Sequence, residues 1–291
     1  MTDMHTTHLP PVPPRTTGNP RGNGTALNIV LAVIGGLVIL TLLISSARSA
    51  FGALSREHST QNVSVEGVTA LQISAGTGSF DLRFADINEA TLEVESTSAQ
   101  DWQLKRDGNS LVLDSPDPWG NWCLFGCDFQ ENTAVLTLPE SMNDGSLDAS
   151  FNLAAGDFNA VGSYKGLQIE VGAGELDMSG AAQSAKVQLG AGQANVNLAD
   201  VAQADFKISA GQLNGTLSGK APQQVTASVS AGALDLALPQ GTYDLRQNVA
   251  AGDVSNRLST DMDSPNKISV EVAAGNATFY PQGSGPAVWN D

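Results

Sequence analysis

Two cysteines, Cys123 and Cys127, stand four positions apart in a chain of 291 residues, and Trp119, Trp122 and Phe125 stand beside them. A Cys-x3-Cys spacing can close a small disulfide loop in an oxidising compartment, contributing about 2 kcal/mol on the loop-entropy view. There is no third cysteine, and the histidines His5, His8 and His58 all lie far upstream. The cluster therefore lacks the ligands of a metal site, and neither metal nor cofactor is expected. Held by such a bridge, Trp119, Trp122 and Phe125 would form a contact loop for a protein partner, a glycan or the bilayer surface. Their alternative role is to cover an open end or side of the fold.

The other chemistries find little to work with. A Ser-His triad, a histidine base and a histidine-bound metal all need an imidazole that the C-terminal four fifths of the chain lacks. No nucleophile elbow, phosphate loop or dinucleotide fingerprint occurs. Carboxylates are plentiful, 30 Asp+Glu against 14 Lys+Arg for a formal net charge of −16, and paired acids can hydrolyse polysaccharides. Abundance is not an arrangement, so no catalytic residue is assigned and no enzyme is expected. The acidic balance also argues against a nucleic-acid partner.

The elements that must position any site repeat one line of text. Apolar and polar residues alternate, an Ala-Gly or Gly-Ala-Gly follows, and alternation resumes, as in Leu167-Gln-Ile-Glu-Val-Gly-Ala-Gly-Glu-Leu-Asp-Met178. Further copies centre on Gly76, Gly156, Gly192, Gly211, Gly232, Gly252 and Gly275, and from Gly156 onward the centres lie 18, 18, 19, 21, 20 and 23 residues apart. Within one copy Val171 and Ala173 share one parity while Leu176 and Met178 share the other. The inward face changes phase at Gly174, as at a corner or bulge that only glycine accommodates easily. A coil of this length cannot bury an apolar face alone, so successive coils must stack. The expected fold is all-β, a single-stranded, β-helix-like solenoid with ~20-residue Ala-Gly repeats, preceded by one transmembrane helix. Three residues past the corners stand Asn159, Asp177, Asn195, Asn214 and Asp235, which stacking would align as a ladder along the axis; a carbohydrate or cation surface is the alternative role.

Earlier residues divide by composition. Residues 1–25 hold Pro10, Pro11, Pro13, Pro14 and Pro20 and read as a disordered cytoplasmic tail. Residues 26–46 contain the apolar run Leu27 to Ile44, whose reach of about 27 Å approaches that of a bilayer core; a cleaved signal peptide ending near Ser45-Ser46-Ala47 is the alternative. Arginines flank the run on both sides, Arg15 and Arg21 before it and Arg48 and Arg56 after it, so charge does not orient it. The cysteines beyond the run favour an extracellular C-terminal domain on a single-pass anchor in the cell membrane. Residues 47–61 are expected to be the juxtamembrane stalk, 62–281 the solenoid ectodomain and 282–291 a C-terminal tail, with the aromatics from Phe279 and Tyr280 to Trp289 capping the last coil.

The order Ile73-Ser-Ala-Gly-Thr-Gly-Ser-Phe80, a variable middle, Ala134-Val-Leu-Thr-Leu-Pro139 and then many Ala-Gly repeats resembles the bacterial putative adhesin family over about residues 60–280. The resemblance implies a membrane-anchored β-solenoid at the cell envelope and brings no catalytic residue with it. The expected function is that of a non-enzymatic structural or interaction module, adhesin-like, meeting an envelope protein or a glycan. The alternatives are a regulatory partner of an envelope-stress signalling system and a β-helical enzyme acting on polysaccharide.

Overall fold

The computed structural model describes residues 57–96, 102–115 and 132–284. Its strands are β1 (Glu57–Ser64), β2 (Ala70–Ala85), β3 (Glu89–Ser96), β4 (Gln103–Asp107), β5 (Ser110–Asp114), β6 (Thr133–Pro139), β7 (Asp148–Ala199), β8 (Gln203–Ser218), β9 (Gln224–Leu238), β10 (Thr242–Asn256), β11 (Ser259–Thr260) and β12 (Lys267–Pro281). Among the described residues the one helical element is the 3-10 turn Glu140–Met142. The protein is all-β, and its strands form one open sheet in the order β1-β3-β6-β2-β7-β8-β9-β12-β10-β11, with β5 on β2 and β4 on β5. No helix among the described residues is long and apolar enough to cross a membrane; the run Leu27 to Ile44 lies outside them.

Across the sheet from β2 through β7, β8, β9 and β12 to β10 the pairing is parallel and in register over whole coils. Leu71 pairs with Ala149 and Phe80 with Phe158, while Val187 pairs with Phe206 and Ala191-Gly192 with Ala210-Gly211. Strand β7 runs through three such coils, and a Cβ built on Gly174 or Gly192 would run into the carbonyl oxygen of Gly156 or Gly174 below it. Alternation explains the register, because slipping a coil by one residue would turn its apolar face to water. In the coil around Gly174, Leu167, Ile169 and Val171 are buried, then Leu176 and Met178. The parity changes over the four residues between. Ala173, expected on the inward face, is exposed. The buried side chains make one continuous core from Leu71 to Phe279. Near its N-terminal part Phe80 stacks on Phe158 at 5.3 Å, and Phe151 meets Phe158 and Tyr164 edge-on at 5.2 and 5.9 Å.

Four features depart from the sequence reading. The first corner falls at Gly78, which pairs with Gly156. Gly76, the expected corner, instead donates its N–H to Ser115 Oγ at 2.7 Å. Strand order begins at Glu57, inside the segment assigned to the stalk, and the N-terminal strands are not coils: β1–β3, β3–β6 and β4–β5 are antiparallel pairs. For β4 and β5 the connection permits nothing else, since Asp107 and Ser110 are joined by the two-residue turn Gly108-Asn109 and parallel neighbours need long crossovers.

The last departure is in the order of the coils. β12 lies between β9 and β10, so the chain's final coil is the penultimate one in space. Side-chain polarity explains this. β12 turns Ile268, Val270, Val272 and Phe279 inward, all 2% exposed or less. At the positions in register with Val270 and Phe279, β10 carries Gln247 and Asn256. Amides tolerate water where those apolar groups do not, so β10 takes the outer place, as terminal units of a stack must. Its start is further closed by the Arg246–Asp244 ion pair at 3.0 Å, in which Asp244 is almost fully buried.

Candidate functional site

Each coil from β2 to β9 begins at the same height, held there by backbone bonds between successive connections: Asp148 N–H to Thr69 O, Lys165 N–H to Leu147 O, Ala202 N–H to Gln183 O and Gln223 N–H to Ala202 O, all 2.9–3.1 Å. Ahead of β7, Asp144 accepts from the Ser146 hydroxyl at 2.6 Å and from its N–H at 2.9 Å. Those bonds hold the Asp144 carboxyl below the usual carboxylate range. Alternation then places two rows of outward side chains across the sheet. One row runs Gln72, Ser150, Gln168, Lys186, Asp205 and Thr226; the other includes Asp148, Ser184, Gln203 and Gln224.

Between the rows lies an open groove of about 550 Å3. With strands ~4.8 Å apart, six coil starts give it a length of about 24 Å. Gly166 leaves a missing rung in the second row: a Cβ there would sit 2.8 Å from Asp148 Oδ1 and 3.6 Å from Ser184 Oγ. Asp148 pairs with Lys165 at 3.5 Å across an exposed surface. The side-chain amides of Gln72, Gln168, Gln203 and Gln224 are exposed and hydrogen-bond to no other described residue. The groove therefore offers amides and hydroxyls, each able both to donate and to accept, at regular spacing.

A third polar row, past the corners, behaves differently. Asn159, Asp177, Asn195, Asn214 and Asp235 do stack, and the middle members bond to one another. Asn195 Nδ2 donates to Asp177 Oδ1 at 2.8 Å, Asn214 Nδ2 to Asn195 Oδ1 at 3.2 Å, and Gln212 Nε2 to Asn214 Oδ1 at 3.2 Å. These bonds run along the ladder and tie coils together.

The corner glycines form a column beside this ladder. Gly78, Gly156, Gly174, Gly192, Gly211, Gly232, Gly275 and Gly252 follow one another across the sheet, each with its α-carbon against the backbone of the next. The contact loop of Trp119, Trp122 and Phe125, with Cys123 and Cys127, lies outside the described residues. Its two flanks are placed: Ser115 N–H donates to Ser74 O at 3.0 Å, and Asn132 O accepts from Ser79 N–H at 2.8 Å. Both flanks thus meet β2 beside the first corner. Among the described residues no group of three or more His, Cys, Asp or Glu could hold a metal ion. The groove residues escaped sequence reasoning. Their signal was present as outward polar positions at the start of each copy, but single outward positions carry no mark of which rows will lie beside a concavity.

A sheet of in-register parallel coils with polar rows on its outer face is the architecture of an open, solenoid-like all-β protein. The chain belongs to the Toastrack DUF4097 family, whose model matches residues 68–280. Among solved structures it is similar to a putative adhesin from Parabacteroides distasonis, with 13% identity, a TM-score of 0.48 and coverage of 77% of this chain and 97% of that one. It is also similar to a putative adhesin from Bacteroides fragilis, with 14% identity, a TM-score of 0.39 and coverage of 77% and 97%. A putative cell adhesion protein from Clostridium sporogenes matches with 12% identity, a TM-score of 0.34 and coverage of 78% and 100%. No curated protein matches the chain.

Proposed function

We propose that the protein is a non-enzymatic, adhesin-like interaction module of the bacterial envelope, a β-solenoid of Ala-Gly repeats anchored by Leu27 to Ile44 with its C-terminal domain outside the cell membrane. The observation that carries the reading is the register. Because whole coils pair residue for residue, every outward position becomes a straight row, and the rigid face so built suits the holding of an extended partner better than the enclosing of a small substrate. Family membership agrees with this reading, as does an apolar run of bilayer length followed by the sheet.

The contact loop belongs to the same proposal. Bridged by Cys123 and Cys127, Trp119, Trp122 and Phe125 would serve as a second point of attachment. The test is capture of partners from intact envelopes by the full chain, compared with a variant in which Trp119, Trp122 and Phe125 are all serine. Loss of capture with an unchanged melting temperature is expected, since surface changes move stability by no more than about 0.5 kcal/mol. A loss of several kcal/mol would assign these rings to covering the fold, as truncating a buried aromatic costs roughly 3–5 kcal/mol. Failure of the unaltered chain to capture anything from the envelope would overturn the adhesin-like reading.

A further inference from the structure

We infer that the groove across the coil starts is the binding site for an extended, electrically neutral glycan lying perpendicular to the strands. The inference rests on the adhesin-like reading and names the class of its partner. Three observations carry it.

The first is charge. The chain has a formal net charge of −16, yet Asp148 and Asp205 in the groove stand beside Lys186 and the neighbouring Lys165. The site is locally balanced on a molecule that repels polyanions at long range. A neutral ligand meets no electrostatic barrier there.

The second is chemistry. The groove presents glutamine amides and the hydroxyls of Ser150, Ser184 and Thr226. Each can both donate and accept, which is what a row of sugar hydroxyls requires. On the outer ladder of the same sheet, Asp177, Asn195 and Asn214 satisfy one another. The groove glutamines find no such partner among the described residues. One polar row is built for cohesion, and the other is left open.

The third is spacing. Rungs recur at the strand separation of ~4.8 Å, close to the length of one pyranose residue in an extended polysaccharide. Sugars along an extended chain can therefore meet successive rungs, with alternate residues of a β-1,4-linked chain turning the same edge to the groove. An extended peptide rises ~3.4 Å per residue and drifts out of step with the rungs. Peptides that join sheets do so at an edge, whereas this groove lies on a face. At the missing rung of Gly166 the Asp148 carboxylate leans over the gap, where it can accept from a sugar hydroxyl.

The full chain is titrated with neutral hexasaccharides of β-1,4-linked glucose, β-1,4-linked N-acetylglucosamine and α-1,6-linked glucose, and with the matching disaccharides. Two variants test the groove. Gly166→Leu fills the missing rung, where the backbone is not left-handed and only the end of the Asp148 side chain must move. The double variant Gln168→Ala, Gln203→Ala removes two exposed amides. At least one hexasaccharide should bind more tightly than its disaccharide, and both variants should weaken it by about tenfold or more without changing the melting temperature. Failure of all three hexasaccharides to bind, affinity that does not rise with length, or variants that bind as the unaltered chain does would each overturn the inference. So would equal competition by an uncharged extended peptide. Envelope capture by the same unaltered chain separates the two proposals: capture without sugar binding overturns the groove assignment alone, and loss of both overturns the adhesin-like reading with it.

Discussion

Gly252 lies against Gly275 in the corner column rather than against Gly232, the corner that precedes it in sequence. Gly275 fills the place between them, pairing with Gly232 on its other side. In chain order the outermost coil therefore comes before the coil that lies beneath it. Completion of the C-terminal part of the core waits for residues 267–281.

Ending the chain at Asn266 should thus do more than shorten a stack. It removes Ile268, Val270, Val272 and Phe279 from the interior, at roughly 1.5–3 kcal/mol each, and leaves β9 and β10 with no shared neighbour. Total stabilities are about 5–15 kcal/mol, so hydrogen exchange should show the amides of β10 unprotected and those of β9 protected only where it still pairs with β8. Full protection of β9 in the truncated chain would contradict the observed order of coils.

Substitution at the corners should be severe. Gly174 and Gly192 have φ of +124° and +108°, where an L side chain is strained by about 1–3 kcal/mol. A Cβ at either site also meets the carbonyl oxygen of the coil below, and that oxygen cannot move without parting the sheet. Gly174→Val or Gly192→Val should cost about 4 kcal/mol or more, at the upper end of point substitutions, in a urea titration. A loss below about 1 kcal/mol would show that the corner yields easily.

Two buried tyrosines should respond in opposite directions to losing their hydroxyls. Tyr164 Oη is buried without a hydrogen-bond partner, close to Phe84 and the α-carbon of Gly162. Tyr243 Oη donates to Pro239 O at 2.7 Å. Tyr164→Phe should stabilise by about 1 kcal/mol, because it relieves an unpaired polar group, while Tyr243→Phe should destabilise by about the same amount. Thermal midpoints of the two single variants check this, and a fall in both would show that the Tyr164 hydroxyl finds a partner in solution.

The same tyrosines set an alkaline limit. Burial pushes the Tyr243 hydroxyl up to about 12 and raises that of Tyr164 further, whereas an unfolded chain loses its tyrosine protons near pH 10. Below about pH 10 both states keep the proton and the full stability is present. Above it the unfolded state binds fewer protons, so stability falls as pH rises through the folded-state values. Denaturant midpoints should be level to about pH 9 and then drop, and the double variant Tyr164→Phe, Tyr243→Phe should flatten the drop. An unchanged slope in that variant would place the alkaline transition elsewhere.

Topology is open to a direct chemical measurement. In a background where Cys123 and Cys127 are serine, single cysteines at Thr16→Cys and Ser55→Cys flank the run Leu27 to Ile44. A membrane-impermeant thiol reagent applied to whole cells should label position 55 and leave position 16 unlabelled. The reverse pattern would invert the proposed orientation.

What the sequence by itself determined was local. Alternation marks Leu167, Ile169 and Val171 as one buried face, and glycine between two phases of alternation marks a corner, because period two and positive φ are constraints that a few neighbouring residues impose on one another. The Asp177–Asn195–Asn214 ladder followed from the same periodicity, since equal steps bring equal positions together. At Gly76 and Gly78 the text was ambiguous, with two glycines in three residues, and only pairing with Gly156 chose between them. Tertiary structure decided the rest. Placing β12 inside β10 depends on comparing Val270 and Phe279 with Gln247 and Asn256, residues of different coils whose relative burial no local pattern ranks. The groove likewise exists only once Gln168, Gln203 and the gap at Gly166 are brought side by side, because a concavity belongs to strands ~4.8 Å apart in space and some 20 residues apart in the chain.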